Sequence, residues 1–386
     1  MKTLNKPEQP NTSHQSNGAV LFLVFVCLAV VLFVALILIG DIKAPSEVMP
    51  VQDVAIMDAF DSVIHDAMAQ AEDAAYSVPK VFWMADNAEK GHVPDPEKYG
   101  TTDDPSTLQW LLDDAQALLQ GQDTLFSTDI TLMPDSVATY YLDESIFAIT
   151  WKQVFDGCVY TISEVKVSHP SQFRRHLEGG VFGVVNLSTP TLMSREVNAV
   201  VGSAADHYLG RKSGIIVYDR EVKRFNLEEY IDICYINNQG DMLFSYAGDF
   251  LDKESAQKFV DENNICFSLA FGPIIIDNGI RQEITQYELG EVHDKYARAA
   301  LCQMDDLHYL VITANTEGPY RQHLTIHQFA RQVETFGCKM AYTLDGGNTG
   351  SIVMNGNLIN RTTFGYERFQ CDLIYFCTAV PNRDQT

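Results

Sequence analysis

Asp345 begins the segment whose residue types are best suited to chemistry, because it stands at the end of a predicted strand and before two glycines. The sequence reads AYTLDGGNTGSIVMNGNLI from Ala341 to Ile359. Gly346 and Gly347 permit backbone angles that other residues avoid, and consecutive amides in such a turn can form a concave nest for an anionic oxygen. The segment thus predicts an anion site beside a carboxylate; a tight turn with a solvated aspartate is the alternative.

Two other segments carry polar groups that suit a ligand pocket. In residues 202–222, an apolar stretch ends at Asp206, His207 and Tyr208, a set suited to the floor of a pocket. Arg298 stands among small residues in the sequence YARAAL. Arginine makes planar, two-pronged contacts with phosphate, although in an acidic chain a salt-bridge role is the alternative.

Several familiar catalytic and metal motifs are missing or misplaced. Ser163 and Lys166 imitate the Ser-x-x-Lys element of penicillin-binding enzymes, but they fall inside a predicted strand rather than at a helix start. His323 and His327 have a metal-ligand spacing, yet the predicted helix is capped at Thr325, which leaves His323 outside it. The sequence has no Walker loop, G-x-S-x-G, H-E-x-x-H or C-x-x-C. No metal site or other cofactor is therefore predicted, although a divalent cation bridging carboxylates and phosphate stays open.

The charge balance limits the partners of the chain. Its 386 residues include 27 Lys and Arg against 51 Asp and Glu, a formal net charge of −24. Such a surface repels phosphate backbones, so we predict no nucleic-acid partner. Hydrophobic residues make up 46% of the sequence, which excludes global disorder. A phosphate-bearing ligand would need local cations or backbone amides to overcome the overall field.

Residues 19–39 form an uncharged apolar run long enough to cross a hydrocarbon core of about 30 Å as one helix. A cleavable signal peptide is the alternative, but its apolar region usually has about 7–15 residues. Lys2 and Lys6 against Glu8 give the preceding tail a positive charge, which predicts a cytoplasmic N-terminus. We therefore expect a single-pass protein of the cell membrane, held in the lipid bilayer through 19–39, with an extracellular C-terminal domain.

The pattern divides the chain into a cytoplasmic tail (1–18), a transmembrane anchor (19–40), a linker and helical stalk (41–121) and a C-terminal domain (122–386). Apolar residues recur at helical spacing over 53–78, which fits either a stalk that could make a homo-oligomer or a helix packed on the domain. Beyond Gly121, strands and helices mix without regular alternation. This predicts the α+β class, with a mixed β-sheet and flanking helices.

The seven cysteines after the anchor are irregularly spaced, which favours buried thiols and leaves one or two disulfides open. The predicted elements are helices at 105–120, 253–262 and 325–336, a loop at 86–106 and strands at 137–142, 145–151, 159–168, 181–185, 213–219, 231–236, 242–247, 265–277, 307–314, 340–345, 351–359 and 371–380.

An ordered set of segments resembles the phosphodiester glycosidase domain family, in its bacterial, membrane-anchored, exopolysaccharide-associated branch. The set is FGPIIIDNG, YARAAL, LHYLVIT and LTIHQFARQVETFGCKMAYTLDGG, and the resemblance extends from Val137 to Val380. No single segment is specific, but their order is. Arg298 matches the family arginine, and Asp345 begins the family's Asp-Gly-Gly turn. Asp206 and Tyr208 match positions of the family's Asn-Gly-Asp-Tyr-Tyr. The departures from the family pattern are Ala204, Ala205, His207, Asn315, Asn348 and Thr349.

The resemblance implies a membrane-anchored extracellular glycoside hydrolase that cleaves a sugar-1-phosphodiester bond on a surface glycan or exopolysaccharide. The implied catalytic residues are Asp206, Asp345 and Arg298, with Arg298 and the glycine-turn amides on the phosphate and the two carboxylates at the anomeric carbon or its water. The implied substrate-binding residues are His207, Tyr208, Gly346, Gly347, Asn348, Thr349 and Asn315. The departures motivate an alternative, a catalytically weakened domain that binds phosphoglycan or scaffolds a cell-envelope assembly.

Overall fold

The computed structural model describes most of the C-terminal part of the chain. The described residues are 90–119, 130–228, 231–284, 287 and 293–380, all within one compact unit, Ser77–Thr386. The predicted span 19–39 and the predicted helix 53–78 lie outside these residues. Among the described helices, none combines the length and apolar character that a membrane crossing requires.

Helices are few in the described part of the chain. They are α1 (Pro105–Leu118), α2 (Pro190–Glu196), α3 (Lys253–Glu262) and α4 (Ile326–Glu334). The predicted capping box of α4 is confirmed, because the Thr325 side chain accepts from the Gln328 amide and the Gln328 side chain accepts from the Thr325 amide. Reciprocal bonds of this kind satisfy two amides that the first helical turn would otherwise leave unpaired.

The largest sheet has nine strands, in the order β1-β2-β3-β4-β15-β14-β16-β12-β13, and every pairing in it is antiparallel. The strands are β1 (Tyr99–Thr102), β2 (Ala138–Leu142), β3 (Ile146–Phe155), β4 (Cys158–Val167), β12 (Ile274–Asp277), β13 (Ile280–Arg281), β14 (Arg298–Asp305), β15 (His308–Asn315) and β16 (Met340–Leu344). β4 is buried along its whole length, so the middle of this sheet has core on both faces.

Two five-stranded antiparallel sheets complete the described fold, in the orders β10-β9-β11-β7-β8 and β18-β17-β6-β19-β5. Their strands are β5 (Phe173–Leu177), β6 (Val201–Ala204), β7 (Gly214–Tyr218), β8 (Glu221–Asn226), β9 (Ile233–Asn237), β10 (Met242–Ser245), β11 (Ile265–Leu269), β17 (Ile352–Met354), β18 (Asn357–Leu358) and β19 (Asp372–Phe376). The sheet-rich α+β prediction is confirmed, but three antiparallel sheets replace the mixed sheet that was expected.

Most predicted elements are found, and three predictions are wrong. The expected strand at 265–277 divides into β11 and β12, which belong to different sheets. The expected loop at 86–106 contains β1, whose Tyr99 pairs with Tyr141 of β2; a polar strand at a sheet edge shows no apolar alternation. The expected strand at 181–185 is a turn, because the Val184 amide bonds within the segment to the Val181 carbonyl. The seven described cysteines are buried free thiols, as their apolar surroundings predicted.

Candidate active site

Residues from distant parts of the sequence meet around one cavity of about 130 Å³, which we call the Arg298–Asp345 pocket. It is lined by Arg211, Phe271, Gly272, Pro273, Tyr296, Ala297, Arg298, Ala299, Ile326, Thr343, Leu344, Asp345, Gly346 and Gly347. The pairing of strands in the largest sheet explains why Arg298 and Asp345 lie close together. β14 begins at Arg298 and β16 ends at Leu344, and Ala299 pairs with Leu344 in the antiparallel ladder. The pairing therefore delivers Arg298 and Asp345 to the same edge of the sheet.

The turn after Asp345 needs both of its glycines. A Cβ atom on Gly346 would lie 2.4 Å from the Ala297 carbonyl oxygen, so no side chain fits there. Gly347 has a φ of +65°, which an L side chain rarely adopts. The turn closes on itself, since the amides of Thr349 and Gly350 both donate to the Gly346 carbonyl at 3.1 and 3.2 Å. The predicted diglycine turn thus forms a wall of the pocket.

Arg298 is oriented by main-chain groups at the pocket wall. Its Nε donates to the Leu324 carbonyl at 3.2 Å, and Nη2 donates to the Asp294 carbonyl. Its Cζ also lies 5.8 Å from the centre of the Tyr296 ring. Both acceptors are main-chain carbonyl oxygens, so these contacts orient the side chain.

A second cation, Arg211, lines the same pocket, and the sequence interpretation missed it. Its Nη1 donates to the Phe271 carbonyl at 3.0 Å, and its Cζ lies 4.1 Å from the centre of the Phe271 ring. Arg211 lies inside the 202–222 segment, but an arginine followed by a lysine there is typical of a solvated loop. Two guanidinium groups that line one cavity are suited to binding an anion, even in an acidic chain.

Asp345 carries a carboxyl group whose pKa is raised. Burial is the main cause; a hydrogen bond from Thr349 and the nearby charges of His207, Arg368 and Arg211 oppose it. A carboxyl group whose pKa is raised in this way is suited to proton transfer nearer to neutral pH. Asp345 is the only carboxylate among the described residues that line this pocket.

His207 has a strained backbone conformation, with a φ of +53°, and its charge influences the pKa of Asp345. Its Nε2 is 3.3 Å from Nη2 of Arg368, whose Nη1 donates to the Thr349 hydroxyl at 3.2 Å. Burial and Arg368 lower the pKa of His207, and Asp345 and Asp206 oppose them. The imidazole is therefore favoured in its neutral form, which can accept a proton.

Asp206 does not line the pocket, whereas Arg298 and Asp345 do. Its side chain is fully buried; Oδ1 lies 2.6 Å from Nη2 of Arg175, and Oδ2 accepts from the Ala270 amide at 2.6 Å. Arg175 also contacts Asp372 at 2.5 Å and donates to the Ser268 carbonyl. Because Ala270 precedes the pocket residue Phe271, the geometry favours a positioning role for Asp206 rather than contact with substrate.

Tyr208 belongs to the core. It is almost fully buried, its ring centre lies 5.0 Å from that of Phe182, and its hydroxyl accepts from the Gly183 amide at 3.4 Å. These contacts make it a support of the site rather than a sugar contact.

Two asparagines that differ from the family pattern form hydrogen bonds with a neighbouring loop. The Asn315 side chain donates to the Arg361 carbonyl and the Thr363 hydroxyl, and the Asn348 side chain accepts from the Phe364 amide. They therefore fix the segment that passes beside the diglycine turn.

The buried Asp372 predicts an unusual pH dependence of stability. Burial chiefly, and Asp206 in addition, raise its pKa to about 7, against the opposing charge of Arg175. Between the unfolded pKa near 4 and this value, the native state binds the extra proton, so its stability falls as pH rises. We expect Asp372→Asn to remove up to about 1.4 kcal/mol per pH unit of that slope. Urea unfolding of both proteins from pH 5 to pH 8 checks it, and parallel profiles would contradict it.

Comparison with known proteins agrees with the resemblance seen in the sequence. Residues 194–375 match the family model described as phosphodiester glycosidase, which confirms the resemblance to that family over that range. No curated protein matches the chain.

Three solved structures are similar to this chain. The catalytic domain of zebrafish N-acetylglucosamine-1-phosphodiester alpha-N-acetylglucosaminidase, auto-inhibited by its pro-peptide, shares 13% identity at a TM-score of 0.45, over 60% of this chain and 83% of that one. A hypothetical protein from Synechocystis shares 12% identity at a TM-score of 0.41, over 60% and 62% of the two chains. A putative exported protein from Burkholderia pseudomallei shares 10% identity at a TM-score of 0.33, over 57% and 74%.

Proposed function

We propose that this protein hydrolyses the bond between the anomeric carbon of a sugar and a phosphodiester oxygen. One observation carries the proposal: Arg298, Asp345 and the diglycine turn, which are far apart in the sequence, line one cavity. The family match over residues 194–375 supports the same reaction class.

The charges of the pocket suit the phosphodiester. Arg298 and Arg211 would bind its oxygens by charge-assisted hydrogen bonds, and the amides of the Gly346–Gly347 turn would add to them. A phosphodiester is a stable anion, so this leaving group needs little help from a general acid. The harder task is to stabilise the positive charge that develops at the anomeric carbon.

Asp345 would meet that requirement. Its carboxylate would stabilise or attack the anomeric carbon, or activate the water that does so. His207, whose charge acts on Asp345 and which is favoured as neutral imidazole, is a candidate for the second proton-transfer group. Asp206, the carboxylate first assigned to this task, would instead act through Arg175 and the Ala270 amide.

Exposed aromatic rings mark where the sugar or its neighbours would bind. Phe364, Tyr366 and Phe369 are 67%, 63% and 59% exposed, and the rings of Phe364 and Tyr366 stack at 6.1 Å. This aromatic loop is tied to the site, because the Thr363 amide donates to the Gly347 carbonyl at 3.3 Å. Clustered exposed aromatic groups beside a polar cavity are typical of ligand-binding surfaces.

The proposed setting is the outer surface of a cell membrane, with residues 19–39 as the anchor and a surface glycan or exopolysaccharide as the substrate. The uncharged run of the sequence supports the anchor. Local cations in an otherwise acidic chain support a phosphorylated saccharide rather than a polyanion such as nucleic acid.

A binding function without turnover is the second candidate. Ala204 and Ala205 are buried immediately before Asp206, where the family pattern has a polar Asn and a Gly. No polar side chain can act from these two positions. Binding of phosphoglycan without hydrolysis is the result that would favour this candidate.

Assay of the full-length protein on a panel of sugar-1-phosphodiesters tests the proposal. We expect turnover of at least one member, and a fall in kcat/KM of about 10²- to 10³-fold in Arg298→Ala, because an oriented cation on the phosphate is lost. The matched control is Arg281→Ala, which removes a surface arginine paired with Glu334 outside the pocket. Unchanged turnover in Arg298→Ala would remove the proposed phosphate site. Binding without turnover of any substrate would establish the second candidate.

A further inference from the structure

A histidine and two glutamates meet outside the Arg298–Asp345 pocket. His176 lies in β5 and Glu178 follows that strand, so their two-residue spacing puts both on one side of it. Glu196 is the last residue of α2. One ligand atom from each of the three lies within 4.8 Å of the others, and His176 Nε2 is 4.0 Å from Glu178 Oε2.

The histidine directs an unsatisfied nitrogen into this cluster. The His176 side chain is only 9% exposed, and its Nε2 has no hydrogen-bond partner. Glu178 Oε2 is also buried and unpaired. Buried polar atoms are nearly always hydrogen-bonded in native proteins, and those that are not often mark an ion or water that completes the site.

An ion pair within the cluster does not explain it. The 4.0 Å between His176 and Glu178 is too long for a hydrogen bond. One imidazole nitrogen and one carboxylate oxygen therefore face each other in the cluster, and neither has a hydrogen-bond partner.

We propose that His176, Glu178 and Glu196 bind one divalent transition-metal ion, of which Zn²⁺ is the representative. Mixed imidazole and carboxylate donors suit Zn²⁺ and its neighbours, whereas Mg²⁺ and Ca²⁺ prefer all-oxygen sites. Tetrahedral ligands about 2.1 Å from zinc lie about 3.4 Å apart, so the site closes by a small movement. Glu196, the exposed member, is the ligand free to make it.

Such an ion would join β5 to α2. It would also fix the strand that carries Arg175, the neighbour of His176 and the arginine that holds Asp206. No motif in the sequence indicates this site, because the proposed ligands come from two separate segments.

Titration of the full-length, chelator-stripped protein with ZnCl₂ tests the inference. We expect one Zn²⁺ bound per chain by calorimetry and a rise in Tm of about 5 °C or more at 100-fold excess over Kd. MgCl₂ should give no comparable rise. No Zn²⁺ binding up to about 100 μM would overturn the proposal.

Two variants separate this site from adventitious zinc binding. Glu196→Gln, at an exposed position, should weaken binding about 10-fold or more, and His176→Gln should do the same. Glu262→Gln, at the corresponding last position of α3, is the matched control and should bind as wild type. Equal affinity in all variants would overturn the assignment.

The metal-free proteins give an independent result. If Glu196 only repels Glu178 when metal is absent, Glu196→Gln should leave Tm unchanged or raise it. A lower Tm without metal would instead show that Glu196 stabilises the fold as an ion-pair partner, and would also overturn the proposal.

Discussion

Replacement of Asp345 by asparagine is expected to lower kcat about 10³-fold, with a much smaller change in KM. The side chain keeps its size and its place at the end of β16, but it loses the charge that would stabilise the anomeric carbon or activate water. Steady-state kinetics on the best substrate of the panel measures the effect. Asp103→Asn, at an exposed position before α1, is the matched control.

The pH profile adds a second readout for Asp345. Because burial raises the pKa of this carboxyl group, we expect activity to fall as pH decreases through a value above 3.8. That acidic limb should be absent from the residual activity of Asp345→Asn. Wild-type kcat in Asp345→Asn would exclude Asp345 from the chemical step and move the search to His207.

Asp206→Ala is expected to lower the free energy of unfolding by about 3 to 5 kcal/mol. The change removes one of the two carboxylates that contact the buried Arg175 and leaves the Ala270 amide without its acceptor. Urea unfolding at pH 7 measures the loss. Asp206→Asn, which keeps the acceptor oxygen, should be milder, and Glu221→Ala at an exposed pair with Lys223 should change little.

The same variant decides between two roles for Asp206. A positioning residue should lose stability and activity together, and Asp206→Asn should recover part of both. If Asp206→Asn unfolds like the wild type but has lost turnover, Asp206 is catalytic and the first assignment from the sequence is restored.

Local signals explain which parts of the fold the sequence could predict. The capping box of α4 and most of the predicted strands depend on neighbours in the chain, and they are found where expected. β1 was missed because a polar edge strand forms only when β2 is present to pair with it. Pairing partners far away in the chain leave no local pattern.

The residues of the candidate site also differ in how far the sequence could predict their positions. The residue types of Asp345 and the two glycines after it were enough to select them as site candidates. Arg298 was selected by its place in an ordered set of segments. Asp206 looked equally polar, but its burial depends on Arg175, which is 31 residues away, and that arginine also contacts Asp372, 197 residues from it. Arg211 was missed for the opposite reason, since only the folded chain shows that it turns toward the cavity.

The two halves of the candidate site are held by different kinds of structure. Arg298 and Asp345 stand at the ends of hydrogen-bonded neighbouring strands, whereas the aromatic loop is tethered by side-chain and main-chain contacts at Asn315, Gly347, Asn348 and, through Arg368, Thr349. If the proposed function holds, replacing the exposed aromatic residues of this loop while keeping Arg368 should change which saccharide binds and leave the proposed phosphate contacts in place. Loop grafting between related enzymes would be the practical route to altered specificity.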